Sequence, residues 1–205
     1  IFFDNDVDFI IISNGKQNTF KVPHYVKTFF RDNVGYDFGG WSEALLCENL
    51  YKNYNNFIFV NSSVIGPFLP SDYQGKWTDI YLNGLQNNIK LFGSTINAKP
   101  SKIRGKKKQN IFNTSHVQSY IFSMTLETLQ YLIDCELFST KYTKTFKSTI
   151  LNKEVLMSQK ILNNNWNIGS LMSYYKDIDF TKCSTDYNLC FYGNIMGRKY
   201  KKYIN

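Results

Sequence analysis

Short apolar runs with the length of β-strands alternate along this chain with stretches of helical periodicity. Such alternation is typical of βαβ units. It predicts an α/β fold: a single domain with a mixed, mostly parallel sheet flanked by helices. Ligands of such sheets bind beyond the carboxyl ends of the strands, so we expect the site in the loops after Phe30, Val60 and Met124. Strands are predicted over 7–13, 26–30, 57–60, 89–96, 116–124 and 166–172, and helices over 41–54, 76–88, 125–138 and about 148–163.

Composition narrows the class of protein. A chain of 205 residues that is 43% hydrophobic and 20% charged can build one globular core, which excludes disordered and collagen-like classes. No apolar run approaches the roughly 20 residues of a membrane-spanning helix. The cysteines are scattered and form no CxxC pair, which indicates neither a zinc site nor a disulfide framework. A reducing, cytoplasmic location is the simpler expectation.

The positive charge is concentrated in two segments. Residues 99–108 carry six Lys and Arg and residues 198–202 carry four, so a net charge of +8 leaves the rest of the chain at −2. A nucleic-acid-binding protein usually shows a basic stripe on structured elements. The distribution therefore favours a solvated loop and tail, and a nucleic-acid partner ranks well below the other interpretations.

A glycine-rich loop over 32–41 precedes the predicted first helix. Gly35, Gly39 and Gly40 would let the backbone approach a ligand, and the start of a helix near Trp41 would favour an anionic group. Asn33 and Asp37 add an amide and a carboxylate. The loop is neither a P-loop nor a GxGxxG motif, and a purely structural strand-to-helix turn explains its composition equally well.

Two polar clusters follow predicted strands. Asn61-Ser62-Ser63 ends the strand 57–60; these neutral groups are poor metal ligands alone, but they can position a ribose or a phosphate. A polar turn before Gly66-Pro67 is the alternative. His116, followed by Gln118 and Ser119, begins another strand and could bind a ligand or serve as a structural hydrogen-bonding group.

Glu154 lies inside the last predicted helix, and the composition of that helix by itself indicates only a solvent-facing glutamate. The neighbouring residues Leu151, Val155, Ile161 and Leu162 are expected in the core. Thr125 is the expected N-cap of the helix over 125–138.

In this order the segments resemble nucleotide-sugar glycosyltransferases of the GT-A fold, which is Rossmann-like. NVGYDFGGWSEAL is similar to their Asn-x-Gly loop and helix, FIFVNSS occupies the place of their Asp-x-Asp strand, and KEVLMSQKILNNNWNIG is similar to their last acidic helix. The closer resemblance is to rhamnan-synthesis and polysaccharide-type glycosyltransferases, including viral members. Asn61–Pro67 and His116–Ser119 match the motifs of these enzymes, and the resemblance covers roughly residues 7–175.

The resemblance implies transfer of a sugar, a hexose or deoxyhexose, from a nucleotide diphosphate sugar to a glycan or another hydroxyl acceptor. Glu154 would be the general base, which implies inversion. A divalent cation, Mn²⁺ or Mg²⁺, would lie at Asn61 and Ser63. The residues that the resemblance places at the nucleotide, its ribose, the diphosphate or the sugar are Asn33, Gly35, Asp37, Gly39, Asn61, Ser62, Ser63, His116 and Gln118.

Two departures from the family pattern shape the remaining expectations. Asn61-Ser62-Ser63 replaces the acidic Asp-x-Asp motif, and the chain opens at what would be the second strand of the fold. We therefore expect a glycosyltransferase domain over 1–175 whose first strand lies upstream, followed by a C-terminal extension over 176–205 with a basic tail. A non-catalytic module that binds nucleotide sugars or glycans is the alternative function.

Overall fold

A four-stranded mixed sheet forms the centre of the protein. The structure, a computed structural model, describes residues 6–15, 21–98, 100–101, 112–113 and 115–182. The strands of the central sheet are ordered β10-β4-β9-β3. The strands are β1 (Ile10–Ser13), β2 (Lys27–Phe30), β3 (Asn56–Val60), β4 (Ile89–Gly93), β5 (Ile96–Asn97), β6 (Pro100–Ser101), β7 (Phe112–Asn113), β8 (His116–Val117), β9 (Ile121–Thr125) and β10 (Asn167–Ser170).

Strand directions in the central sheet correct one expectation. β10 and β4 run parallel, whereas β9 runs antiparallel to both β4 and β3. The prediction of a mixed α/β domain is confirmed, but the sheet is not mostly parallel. β1 and β2 form a separate parallel pair, and β5–β8 and β6–β7 form short antiparallel pairs.

The direction of β9 also moves one predicted loop. Met124 pairs with Phe57 near the start of β3, and Ile121 pairs with Val60 at its end. The loop after Met124 therefore lies at the edge opposite the carboxyl ends of β3 and β4, and the expectation that it lies at the same edge as the loop after Val60 is wrong. The segment before Ile121 lies at the expected edge instead.

Helices cover both faces of the sheet. Leu91, Phe122 and Met124 point to the main core, where α1, α3 and α5 pack, and the alternate residues Phe92 and Ile121 point to a smaller core under α2. The α-helices are α1 (Tyr36–Leu46), α2 (Trp77–Leu82), α3 (Leu126–Asp134), α4 (Phe146–Thr149) and α5 (Leu156–Asn163), with 3₁₀ segments over Cys47–Asn53, Ser173–Tyr175 and Phe180–Lys182.

Helix ends differ from the sequence prediction in instructive ways. Thr125 is the N-cap of α3, as predicted, and its side chain accepts a hydrogen bond from the Thr128 N–H. α1 begins at Tyr36 rather than Trp41, so Gly39 and Gly40 are helical residues. Phe180, in the predicted extension, is 1% exposed and packs in the main core.

The last predicted helix is interrupted by a π-helical turn over Ile150–Val155, between α4 and α5. A π turn holds one more residue per hydrogen-bonded ring than an α-helix, which shifts the buried face. Leu151, expected in the core, is 53% exposed, whereas Lys153 is 7% exposed; Ile161 and Leu162 are buried as predicted.

Of the two basic segments, residues 99–108 lie outside the described residues except for 100–101, and residues 198–202 lie outside them entirely. Among the described residues, no helix has the length and apolar character that crossing a membrane requires.

Candidate active site

The carboxyl end of β3 meets the amino end of β9 at one edge of the sheet. The Asn61 N–H donates to the Tyr120 carbonyl at 3.0 Å, which joins the two chain segments directly after and directly before their strands. Residues 118–120 form a turn between β8 and β9, so the predicted continuous strand over 116–124 is broken at this edge. The polar side chains of both segments are thereby gathered at one place.

Asp37 and Asn61 are in direct contact at this edge. The Asn61 Nδ2 donates to Asp37 Oδ2 at 3.1 Å, and the Asn61 Oδ1 accepts from the Ser63 N–H at 3.0 Å and from the Ser63 hydroxyl. Two segments that sequence reasoning placed near one ligand are therefore linked by a hydrogen bond. Asn61 fixes the Asp37 carboxylate at the amino end of α1.

The loop before α1 is held from below by Arg31. Its guanidinium donates to both carboxylate oxygens of Glu43, at 2.6 and 2.9 Å, and to the Val34 carbonyl at 2.7 Å. The Tyr142 hydroxyl also donates to Glu43, at 2.5 Å. A bidentate guanidinium–carboxylate pair fixes both orientation and distance, so α1, which carries Asp37 in its first turn, is held to Arg31, the residue that follows β2.

Gly35 and Gly39 have packing roles that their residue type alone did not reveal. Gly35 has φ +77°, a left-handed conformation that other residues rarely adopt. A Cβ at this position would also lie 2.8 Å from the Tyr142 ring, so both backbone conformation and packing require glycine. A Cβ on Gly39, inside α1, would overlap the Val34 carbonyl oxygen. Both positions are buried, and close packing accounts for both glycines.

Glu154 is clamped at the same edge by the turn before β9. Its Oε2 accepts from the Ser119 N–H at 2.8 Å and from the Ser119 hydroxyl at 2.5 Å. Its Oε1 lies 3.4 Å from His116 Nε2, and the side chain is 17% exposed. The carboxylate is thus oriented from two sides, while Oε1 retains a lone pair for another partner.

Burial acts to raise the pKa of Glu154, but hydrogen bonds from His116 and Ser119 outweigh it and hold the pKa below the ordinary glutamate value. Glu154 is therefore ionised at neutral pH. An ionised, oriented carboxylate with one uncommitted lone pair is suited to accept a proton from a ligand.

The π turn explains how Glu154 reaches this place. Lys153, the preceding residue, donates instead to the carbonyl of Leu137, three residues after the end of α3. Burial lowers the pKa of Lys153. The lysine links the π turn to the segment that follows α3, while the glutamate contacts Ser119 at the sheet edge. A prediction from helical periodicity assumes a regular α-helix, so it could not indicate that Lys153 is buried while Glu154 contacts Ser119.

The order of groups around Glu154 differs from that of a hydrolytic triad. In a triad the imidazole lies between the serine and the acid and takes the hydroxyl proton. Here the carboxylate lies between Ser119 and His116, and the Ser119 hydroxyl donates its proton to Glu154. Ser119 therefore orients the Glu154 carboxylate and is not arranged as a nucleophile.

The residues expected at a metal do not assemble a metal site by themselves. The Asn61 amide oxygen accepts hydrogen bonds from Ser63, and the amide nitrogen donates to the Asp37 carboxylate. Nowhere in the described part of the chain do three His, Cys, Asp or Glu side chains gather in a way that could hold a metal. The divalent cation stays a prediction.

The remaining predicted residues divide into two groups. Gln118 lies at the edge, where its amide oxygen accepts from the Thr95 hydroxyl. Asn33 and Ser62 are exposed and contribute no contact that positions the groups described above. Sequence reasoning missed Thr95, Tyr120 and the Arg31–Glu43 pair, because no local pattern distinguishes them from surface residues.

Comparison with known families identifies the family of this chain. The family profile of rhamnan synthesis protein F matches residues 9–193. The chain belongs to the rhamnan synthesis protein F family. Membership indicates a role in the synthesis of rhamnan or a related polysaccharide. Neither a curated protein nor a solved structure matches this member of the family.

Proposed function

We propose that this rhamnan synthesis protein F family member is a glycosyltransferase that moves a sugar from a nucleotide diphosphate sugar to a hydroxyl of a growing glycan. One observation carries the proposal. The Asp37–Asn61 pair and the clamped carboxylate of Glu154 lie at one sheet edge, joined through the hydrogen bond between Asn61 and Tyr120. Family membership in polysaccharide synthesis supports the same chemistry.

On the donor side, the Asp37 carboxylate accepts hydrogen bonds from the ribose hydroxyls, and Asn61 keeps that carboxylate in place. The first backbone N–H groups of α1 have no partner within the helix and favour the diphosphate. They stabilise the leaving group as negative charge develops on it.

On the acceptor side, Glu154 is the general base. Its Oε1 takes the proton of the acceptor hydroxyl while that oxygen forms a bond to the anomeric carbon of the donor. The bond between the anomeric carbon and the diphosphate breaks, and the nucleoside diphosphate leaves. Attack opposite the leaving group inverts the anomeric configuration. Ser119 and His116 keep the carboxylate aimed and ionised.

The decisive experiment compares Glu154→Gln with Glu127→Gln, a control glutamate that is 61% exposed and paired with Lys90. A panel of nucleotide diphosphate sugars is offered with glycan acceptors, and nucleotide release and product are measured. We expect Glu154→Gln to lose about 100-fold or more of the transfer rate, with unchanged donor affinity by calorimetry and unchanged activity in the control. Retained turnover in Glu154→Gln would remove Glu154 from this role.

A second variant tests the donor side. Asp37→Ala removes the carboxylate that Asn61 positions, and we expect donor affinity to fall by about 10- to 100-fold, the value of one hydrogen bond to a charged group. Asp72→Ala, on an exposed turn, is the control. Equal donor affinity in both variants would contradict the assignment of Asp37.

The alternative function is a non-catalytic module that binds a nucleotide sugar or a glycan. The absence of an assembled carboxylate cluster beside Asp37, within the described residues, favours it. Donor hydrolysis and transfer assays separate the two functions, since a binding module shows affinity for donor or glycan without turnover of any donor.

A further inference from the structure

We infer that Thr95, Gln118 and Tyr120 form the subsite that holds a neutral hydroxyl group of the acceptor glycan beside Glu154. All three side chains are half-buried at the sheet edge. The Thr95 hydroxyl donates to Gln118 Oε1 at 2.8 Å and lies 2.7 Å from the Tyr120 hydroxyl. This inference rests on the proposed function for the identity of its ligand.

The position of the three residues follows from the turn before β9. Gln118 and Tyr120 flank Ser119, the residue that donates twice to the Glu154 carboxylate. A general base must lie within hydrogen-bonding distance of the hydroxyl that it deprotonates. Gln118 and Tyr120 therefore lie within one residue of the group that orients the base, at the same edge of the sheet.

The order of strands separates this subsite from the donor side. Along the sheet the sequence of strands is β4, β9, β3. Thr95 follows β4, whereas Asn61 follows β3 and carries the contact with Asp37. Glu154 is held by Ser119, in the segment before β9, and β9 is the strand between β4 and β3. A donor at the β3 end and an acceptor at the β4 end would thus both reach the base.

Proton counting identifies the kind of ligand. Thr95 has one hydroxyl proton, which it gives to Gln118 Oε1, so it accepts the proton of Tyr120. The Tyr120 oxygen is left as an acceptor and the Gln118 amide nitrogen as a donor of two protons. A sugar hydroxyl satisfies both because it donates and accepts at once, whereas a fully ionised phosphate only accepts.

Charge points in the same direction. The three side chains are uncharged, so the trio offers no cation to a diphosphate. Recognition of neutral polyols depends on such oriented donors and acceptors beside apolar surface, and Tyr120 packs against the smaller core with Val64 and Trp77.

The test measures binding of methyl α-L-rhamnoside and other methyl glycosides to the whole chain by saturation-transfer NMR, together with acceptor KM wherever transfer is observed. We expect Tyr120→Phe and Gln118→Leu each to weaken glycoside binding by about tenfold, the value of one hydrogen bond. Tyr54→Phe is the matched control, because Tyr54 precedes β3, at the opposite edge of the sheet, and its hydroxyl donates to Asp8. It should leave binding unchanged.

Each outcome decides a separate question. Glycoside binding that depends on Tyr120 and Gln118, without turnover of any donor, would keep the subsite and refute the transferase. Turnover with equal acceptor KM in wild type and both variants would keep the transferase and overturn the subsite. No glycoside binding at millimolar concentration, or loss of donor affinity in place of glycoside affinity, would also overturn it.

Discussion

Two adjacent glycines of α1 allow a sharp test of the packing that mounts Asp37. Gly39 and Gly40 are both helical and buried, so replacing either with alanine gains the same helix propensity, about 1 kcal/mol. The added methyl group meets different surroundings. On Gly39 it overlaps the Val34 carbonyl oxygen; on Gly40 it lies 3.1 Å from the Ile12 Cγ2 methyl, at the end of a side chain that can adjust.

The cost at Gly39 follows from what must move. Overpacking against the backbone costs about 1–3 kcal/mol. The displaced Val34 carbonyl also loses its hydrogen bond from Arg31, which costs about 1.5–3 kcal/mol because the donor is charged. After subtracting the propensity gain of about 1 kcal/mol, we expect Gly39→Ala to lower the free energy of unfolding by about 3 kcal/mol.

Urea denaturation and thermal melting measure the difference. For a chain of this size a loss of about 3 kcal/mol lowers Tm by about 6–12 °C. Gly40→Ala should lie within about 1 kcal/mol of wild type, because propensity and a mild contact nearly cancel. Equal stability of the two variants would refute the reasoning, since it would mean that Val34 does not pack against α1 as described.

Four further outcomes follow from contacts already described. The pKa of Glu154 is lowered in the folded state, so the ionised carboxylate stabilises the fold at pH values above the ordinary glutamate pKa. The stability advantage of wild type over Glu154→Gln at neutral pH should therefore vanish as the pH falls through the folded-state pKa. A stability difference that does not change on acidification would contradict this. Burial lowers the pKa of Lys153 in the folded state. The free energy of unfolding of wild type should therefore rise relative to that of Lys153→Met as the pH increases toward the ordinary lysine pKa. Parallel pH profiles of stability for the two proteins would contradict this prediction. Thr125→Ala removes the N-cap of α3 and should cost about 1 kcal/mol in urea denaturation, with no cost expected if the cap is frayed. Arg31→Lys keeps the positive charge but loses the bidentate pair with Glu43, and we expect the free energy of unfolding to fall by about 2 kcal/mol in the same assay. Unchanged stability would show that the charge alone is enough to hold the loop before α1.

Local patterns predicted the elements of the fold well. Apolar runs located β1, β2, β3 and β10, and Thr125 marked the start of α3, since burial of side chains and capping of free N–H groups are local requirements. The polar residues after β3 were correctly expected at the carboxyl edge of the sheet. These features depend on residues close together in sequence.

The direction of β9 could not be predicted in the same way. Its apolar run fits a parallel or an antiparallel strand equally well, because pairing direction is decided by contacts such as Val60 with Ile121 that join distant segments. The error had a chemical consequence. It placed the loop after Met124 at the carboxyl edge of β3, where the turn before β9, with Ser119 and Tyr120, lies instead.

The position of Glu154 illustrates a second limit. Regular 3.6-residue periodicity puts Leu151 in the core and leaves Glu154 as an ordinary surface residue; the π turn reverses the first assignment and carries the carboxylate to Ser119. A resemblance to known enzymes led to the prediction for Glu154, whereas its contacts with Ser119 and His116 required coordinates.

The π turn also makes the number of residues in this segment as constrained as their identity. Removing one residue from Ile150–Val155 would allow a regular helix and rotate one side of it by about 100° relative to the other. Either Glu154 would turn away from Ser119, or Met157 and Ile161 would leave the core. Relatives of this chain that carry a glutamate here but differ by a single deletion would therefore have the acid without its orientation, and length in this turn is a better guide to shared chemistry than the glutamate alone.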